Sequence, residues 1–270
     1  MFYVSMCFKK IYVFQKVPSY YLCVTLSYFS LKISLIMPFF IRLRNVLAQL
    51  IAYAFAALVL AFTAVMVTKI LPYMTFERAI NFLGTKPDAV LDRTYFMVAF
   101  YVHITSSVLA IAGGIFQFFP KILRGYPRVH IFIGKIYIAS ILLLAAPSGL
   151  ILAAFANGGL PAKVGFTLQC LVWWATTYAA WQAIMQQHWE KHAALMIRSY
   201  GVTLAAMSLR TESYALVYFC STKPIETYLT VTWLSWVGNF FIAELLIYFG
   251  LAKKLIAVLP KKILKSSEKR

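Results

Sequence analysis

Four histidines, His103, His130, His188 and His192, are the natural starting point for chemistry in this chain. An imidazole can ligate a metal, pass a proton or simply hydrogen-bond, and spacing decides which. His188-Trp189-Glu190-Lys191-His192 has the i, i+4 histidines of a zinc-protease helix. It lacks the Glu directly after the first histidine, where the base of that reaction stands. A zinc ion would also need a third ligand, for which only Glu190 or His130 is a candidate. Four histidines are too few for a membrane di-iron oxygenase. Ser-His-Asp hydrolysis has no support either, because Asp88 and Asp92 share one loop. Gly113-Gly114 and Gly158-Gly159 lack the preceding strand and following basic residue of a phosphate loop. Cys7, Cys23, Cys170 and Cys220 form neither a C-x-x-C nor a disulfide framework. The motif chemistries fail, and position must carry the argument.

Position is set by a membrane. The 270 residues are 62% hydrophobic and 13% charged, against roughly 45–50% and about 25% in soluble domains. This excludes a soluble enzyme, a secreted disulfide scaffold and a disordered tail protein. The implied fold is all-α: a polytopic membrane helix bundle with six core transmembrane helices. A span needs about 20 apolar residues, and six stretches qualify: 46–70, 95–119, 131–155, 165–186, 193–219 and 229–251. Residues 19–40, interrupted by Lys32, form a seventh and weaker hydrophobic run. The expected organisation is an N-terminal extension over 1–36 (an added helix or an unused upstream start), a six-helix domain over 37–252 and a basic tail over 253–270.

The formal charge of +18 is first a topology signal. With the N-terminus inside, eighteen of the 26 basic residues fall on the inner side and six on the outer. The positive-inside rule then predicts both termini in the cytoplasm, and the expected location is the cell's inner (plasma) membrane, multi-pass. The expected partner is the lipid bilayer and not nucleic acid, with a membrane-protein partner or a homo-oligomer left open.

Ionisable groups at membrane depth are costly and therefore candidates for function. His103 lies about eight residues inside the second span, roughly 12 Å deep at 1.5 Å per residue. Ser107, Ala110, Gly114 and Gln117 share its face. Its competing role is a hydrogen bond to a neighbouring helix. His130 opens the third span, with Gly134 and Tyr137 on its face, and His192 opens the fifth. Eighteen residues separate His192 from Arg210, five helical turns, which puts both on one face with Ser199 and Thr203 between them. Arg198 points towards the side of Glu212. Asn239 and Glu244 are the polar members of the last span. The intramembrane polar cluster is therefore His103, Arg198, Arg210, Glu212, Asn239 and Glu244. His130 and His192 sit at matched height on separate helices, which axial ligation of a haem iron requires. Plain interfacial histidines would look the same.

Several of these residues fall in recognisable runs. They are Phe100-Tyr101-Val102-His103, Phe116-Gln117-Phe118, Tyr126-Pro127-Arg128-Val129-His130, Met196-Ile197-Arg198-Ser199-Tyr200 with Leu209-Arg210, and Trp233-Leu234-Ser235-Trp236 with Asn239, Ala243 and Glu244. Over about 95–250 the chain resembles the bacterial predicted membrane proteins grouped as domain of unknown function 2306. That family lends no established activity. Two positions depart from its pattern: Ile131 stands where Arg is expected after the histidine, and Gly238 where Pro is common.

More distantly, the arrangement is similar to six-helix transmembrane b-type cytochromes. That likeness implies one complete haem b site, with His130 and His192 as axial ligands and Lys121, Arg124 and Arg128 near the propionates. No metal beyond that iron is implied. His103 would lack a partner, since the fourth span has no histidine at its depth. The first expectation is a membrane protein of this uncharacterised family, with enzymatic activity undecided. The alternatives are a haem-binding electron carrier, and a small-ligand carrier or sensor with an intramembrane polar cavity.

Overall fold

The computed structural model describes residues 19–78 and 80–259, with side chains from Met37 onward. The expected extension before residue 19 and the tail beyond 259 lie outside the described residues. Two compact units divide within the first helix, at Phe55. That helix, α1 (Ser19–Ile70), carries Pro38 in its interior. The described part of the first unit, 37–55, exposes Met37, Phe39, Leu47, Leu50 and Ile51, side chains suited to lipid.

In the second unit, Ala56, Val59, Thr63 and Met66 form a buried stripe along α1. The steps of three, four and three residues place them on one helical face. After a short loop region come α2 (Asp88–Leu91) and α3 (Thr94–Phe116), then α4 (Pro120–Gly125), α5 (Pro127–Ala139) and α6 (Ala146–Ala154). The last five are α7 (Gly159–Met185), α8 (Trp189–Thr203), α9 (Ala205–Cys220), α10 (Pro224–Tyr248) and α11 (Leu251–Ala257). Four helical segments among the described residues are long and apolar enough to cross a bilayer: Met37–Thr75, Thr94–Phe116, Pro127–Ala154 and Pro224–Tyr248. They match the first, second, third and sixth expected spans.

The other two expected spans take different forms. The fourth is α7, long enough at 27 residues but diluted by Lys163, Gln169, Thr176, Thr177 and Gln182. It packs against α6, α8 and α10, where Thr177 is buried, while Lys163 and Gln182 are exposed. The fifth is broken at Leu204 into α8 and α9. Here the Thr203 hydroxyl bonds back to the Ser199 carbonyl at 2.9 Å, a local bond that bends helices. The break also undoes the five-turn alignment of His192 with Arg210.

The third span is interrupted too. A π-helical stretch, Ser140–Ala145, separates α5 from α6. Pro147 explains it: the ring has no N–H and clashes with the carbonyl four residues back, so the preceding turn widens. Three side chains meet the carbonyls around the bulge. Trp174 Nε1 donates to Leu142 (3.2 Å), Ser148 Oγ to Leu144 (2.6 Å) and His103 Nδ1 to Ala145 (2.8 Å). Without water, a broken span must be satisfied in this way.

Close helix contact depends on small residues, as expected where lipid provides no hydrophobic drive between helices. A Cβ on Gly114 would stand 2.3 Å from Tyr200 Cε2, and one on Gly149 2.8 Å from Cys170 Sγ. Away from the basic loop 121–128, the bundle end is closed by buried Lys86. Its Nζ donates to the Phe155 carbonyl (2.6 Å) and to Asn157 Oδ1 (2.8 Å). Burial holds this ammonium below the ordinary lysine range, and repulsion from Lys163 adds to the effect.

Candidate functional site

Polar side chains inside the bundle fall into three groups. The first is a closed network between α5, α7 and α8. The Tyr137 hydroxyl bonds Ser199 Oγ (2.8 Å) and Thr203 Oγ1 (2.9 Å). Thr177 Oγ1 meets Ser199 Oγ (2.7 Å), and Trp173 Nε1 donates to Thr203 (2.9 Å). All five side chains are buried. Tyr137, Ser199 and Thr203 were visible in the sequence as neighbours of the histidine faces. Trp173 and Thr177 were not, because nothing in a helical repeat shows which helix lies opposite.

The second group gathers at the end that carries the basic loop. His192 donates Nδ1–H to the Ala180 carbonyl at 2.8 Å, leaving the Nε2 lone pair free. His130 lies within electrostatic range of His192. Gln117 is buried between His130 and Gly134. With its amide turned to satisfy both sides, its nitrogen donates to His130 Nδ1 (3.0 Å) and to the His130 carbonyl (3.2 Å). Its oxygen then accepts from the Gly134 N–H (3.3 Å). Gly134 leaves the room for this, since a Cβ there would lie 3.0 Å from the Gln117 oxygen.

This arrangement tests the haem reading. A ligating histidine donates one ring N–H outward and offers the other nitrogen to the metal. His192 meets that requirement. At His130 the turned Gln117 amide donates to Nδ1, an assignment that would leave the ring proton on Nε2, the nitrogen an iron would need. Arg124 and Arg128 are exposed. No cluster of three or more His, Cys, Asp or Glu suited to a metal occurs among the described residues. The Gln117 contact at His130 counts against a bis-histidine haem at this pair.

The third group is the seam between α9 and α10. Ser208 Oγ donates to Asn239 Oδ1 at 2.9 Å, which fixes the register of these antiparallel helices. One turn further along each helix, Glu212 comes level with Ser235. Here the bonding stops. Glu212 Oε2, Ser235 Oγ, Trp236 Nε1 and Asn239 Nδ2 are buried atoms without a hydrogen-bond partner. Two more such atoms, Ser107 Oγ on α3 and Gln169 Oε1 on α7, lie elsewhere in the bundle. Buried polar atoms are nearly always paired, so these four on α9 and α10 are candidates for a site.

The other expected cluster members are dispersed. Arg198 pairs with Glu244 rather than lying beside Glu212: Nε–Oε1 is 2.5 Å and Nη2–Oε2 is 2.8 Å. This fork-to-fork pair ties α8 to α10. Arg210 is exposed and donates to the Ala206 carbonyl of its own helix (2.7 Å). His103, bonded to Ala145 and beside Gly149, serves the π bulge and is not joined to Arg210 or Glu212.

An all-helical chain with apolar spans, small-residue contacts and internally satisfied breaks defines a multi-pass membrane protein embedded in lipid. The particular family follows from comparison. Residues 100–247, more than half of the chain, match the model described as Predicted membrane protein (DUF2306), and the chain belongs to that family. No curated protein and no solved structure matches it.

Proposed function

We propose that this protein is a carrier or sensor that takes a small polar ligand inside the membrane at the α9–α10 seam, and that it does not carry electrons through haem. The observation behind this reading is the set of unpaired buried atoms on Glu212, Ser235, Trp236 and Asn239. Unsatisfied polar groups in a low-dielectric interior cost about 1–3 kcal/mol each, a cost that bonds to a ligand would offset. The two interrupted spans add support. Broken helices near mid-membrane are where transporters place their sites, and both the π bulge and the Leu204 break fall near mid-helix. The charge asymmetry supports an inner-membrane location with both termini cytoplasmic. On that topology the seam lies within the bilayer and His130 and His192 near its cytoplasmic face. A six-span domain over 37–252 between an N-terminal extension and a basic tail remains the proposed organisation.

The test is thermal unfolding of Ser235→Ala and Trp236→Phe in mild detergent. Groups kept for a ligand add nothing to the empty fold, so each variant should melt within a degree or two of wild type, or higher. A clear loss of stability in both would show that these atoms hold the fold, and the reading would fall.

A further inference from the structure

Arg210 is a cation at mid-membrane depth without an anion. The Ser208–Asn239 bond sets α9 against α10, whose residues Pro224–Tyr248 are long and apolar enough to span a bilayer. Two residues past Ser208 on an antiparallel neighbour, Arg210 comes level with Val237. That is roughly 17–20 Å from either end of α10 at 1.5 Å per residue. Basic side chains near helix ends escape by snorkelling to the surface; this one starts too deep to do so. Nor does it turn into the seam, because it lies two residues from both Ser208 and Glu212 and so points away from their face. Of α9 only Ala205 is buried, and Arg210 is exposed.

Its bonding is equally open. Nη1 donates to the Ala206 carbonyl, and no other N–H of the guanidinium has an acceptor among the described residues. The ion pairs among those residues are Arg78–Asp92 and Arg198–Glu244, so no acid of the chain neutralises it there. Tyr214 and Tyr218 follow at i+4 and i+8 on the same side of α9, 79% and 80% exposed. Tyr214 and Tyr73, just past the end of α1, lie within electrostatic range of the guanidinium. Tyr218, two residues from the end of α9, is placed as any interfacial aromatic would be, but Arg210 is not. The result is a polar strip from the end of the helix to its middle: two phenol O–H groups, then a guanidinium fork.

Charge and shape narrow the occupant. Arg210 is the one base on α9, and α10 has none. A single guanidinium cancels a single negative charge, whereas a doubly charged phosphate would bring its second charge into hydrocarbon uncompensated. A planar carboxylate takes two parallel bonds from the fork, which a spherical chloride does not. We propose that Arg210 anchors a second ligand site, for a small monocarboxylate, on the face of α9 opposite the seam and reached along Tyr218 and Tyr214. It shares no residue with the seam, so the Ser235→Ala experiment and this one answer separately.

The test is thermal unfolding of the full chain in mild detergent, at neutral pH and constant ionic strength, titrated with hexanoate, a carboxylate ionised under these conditions. Hexanamide, which keeps the tail and drops the charge, is the comparison, together with chloride and inorganic phosphate. Wild type should gain several degrees with hexanoate, in a saturating curve, and far less with the other three. Arg210→Leu should lose the gain yet melt no lower than wild type without ligand, since it removes an uncompensated charge. Arg210→Lys, a point charge without the fork, and Tyr214→Phe should each need several-fold more hexanoate for the same gain. If Arg210→Leu fails to fold, those two variants carry the test, and an unshifted titration in both overturns the proposal. So does a wild-type gain no larger than with hexanamide, chloride or phosphate, or an undiminished gain in Arg210→Leu. A wild-type dimer in sedimentation that Arg210→Leu splits also overturns it, because this face would then belong to a second copy of the chain.

Discussion

Two polar regions of similar size lie side by side in this bundle, and they behave in opposite ways. In the network of Tyr137, Thr177, Ser199, Thr203 and Trp173 every hydroxyl and the indole N–H are bonded. In the seam of Glu212, Ser235, Trp236 and Asn239 each residue keeps one buried atom unbonded. Both use the ordinary polar side chains of membrane helices. The difference is completion. A closed network holds three helices in one arrangement, since any slip breaks several bonds together. An open one adds nothing to stability on its own and waits for a partner.

The largest effect should come from disturbing the packing under the closed network. Gly114→Ala puts a methyl group 2.3 Å from Tyr200 Cε2 and 2.8 Å from Tyr137 Cε2. Overpacking of this kind costs about 1–3 kcal/mol, and unfolding in detergent should show a drop of several degrees. Gly113→Ala is the control, as its nearest foreign atom is at 3.5 Å and helix propensity favours alanine there; a similar drop would mean that the contacts at Gly114 are not what is being measured.

Tyr137→Phe should follow, at about 1 kcal/mol, because it removes two bonds at once. In a double-mutant cycle with Ser199→Ala the coupling should be about 0.6 kcal/mol, the average for interhelical bonds in membranes. A coupling near zero would erase the distinction between the two regions. The seam variants proposed above supply the other half of the contrast.

The histidine pair offers a spectroscopic test. Because Gln117 occupies His130 Nδ1, protein purified from haem-replete cells should be colourless. A reducible Soret band that disappears in both His130→Ala and His192→Ala would show that Gln117 gives way and that haem binds.

The smallest effect concerns Lys86, a buried charge held by two hydrogen bonds. Its pKa in the fold is lowered by burial and then by Lys163. Between that lowered value and the ordinary 10.5, the unfolded chain binds more protons at this position than the folded one. Stability from Lys86 therefore rises with pH across that window and is at its lowest below it. The difference in melting temperature between wild type and Lys86→Met should grow in favour of wild type as pH climbs towards 10.5. An unchanged difference would mean that the ammonium is not desolvated.

Much of this was legible in the sequence. An excess of apolar residues with few charges determines a helical membrane protein, since only hydrogen-bond-complete backbones enter lipid. The family was carried by Tyr126-Pro127-Arg128-Val129-His130 and its companion runs. The identity of the intramembrane polar residues was also plain, because charge at depth is rare enough to notice. Their partners were not. Sequence spacing puts Arg198 on the side of Glu212, but α10 packs there and Glu244 takes it. Spacing runs Arg210 into line with His192, but Leu204 breaks the helix between them. It leaves His103 between a site role and a bond to a neighbouring helix, and the Ala145 carbonyl at the π bulge takes that bond.

Helical periodicity says which side chains share a face, and depth says roughly where they lie. Neither says which helix is opposite, or whether a polar atom there already has its bond. Those facts depend on helix order and register, set by close contacts at Gly114, Gly149 and Gly201. Only the tertiary structure could therefore separate the polar residues that complete the fold from those still open to a ligand.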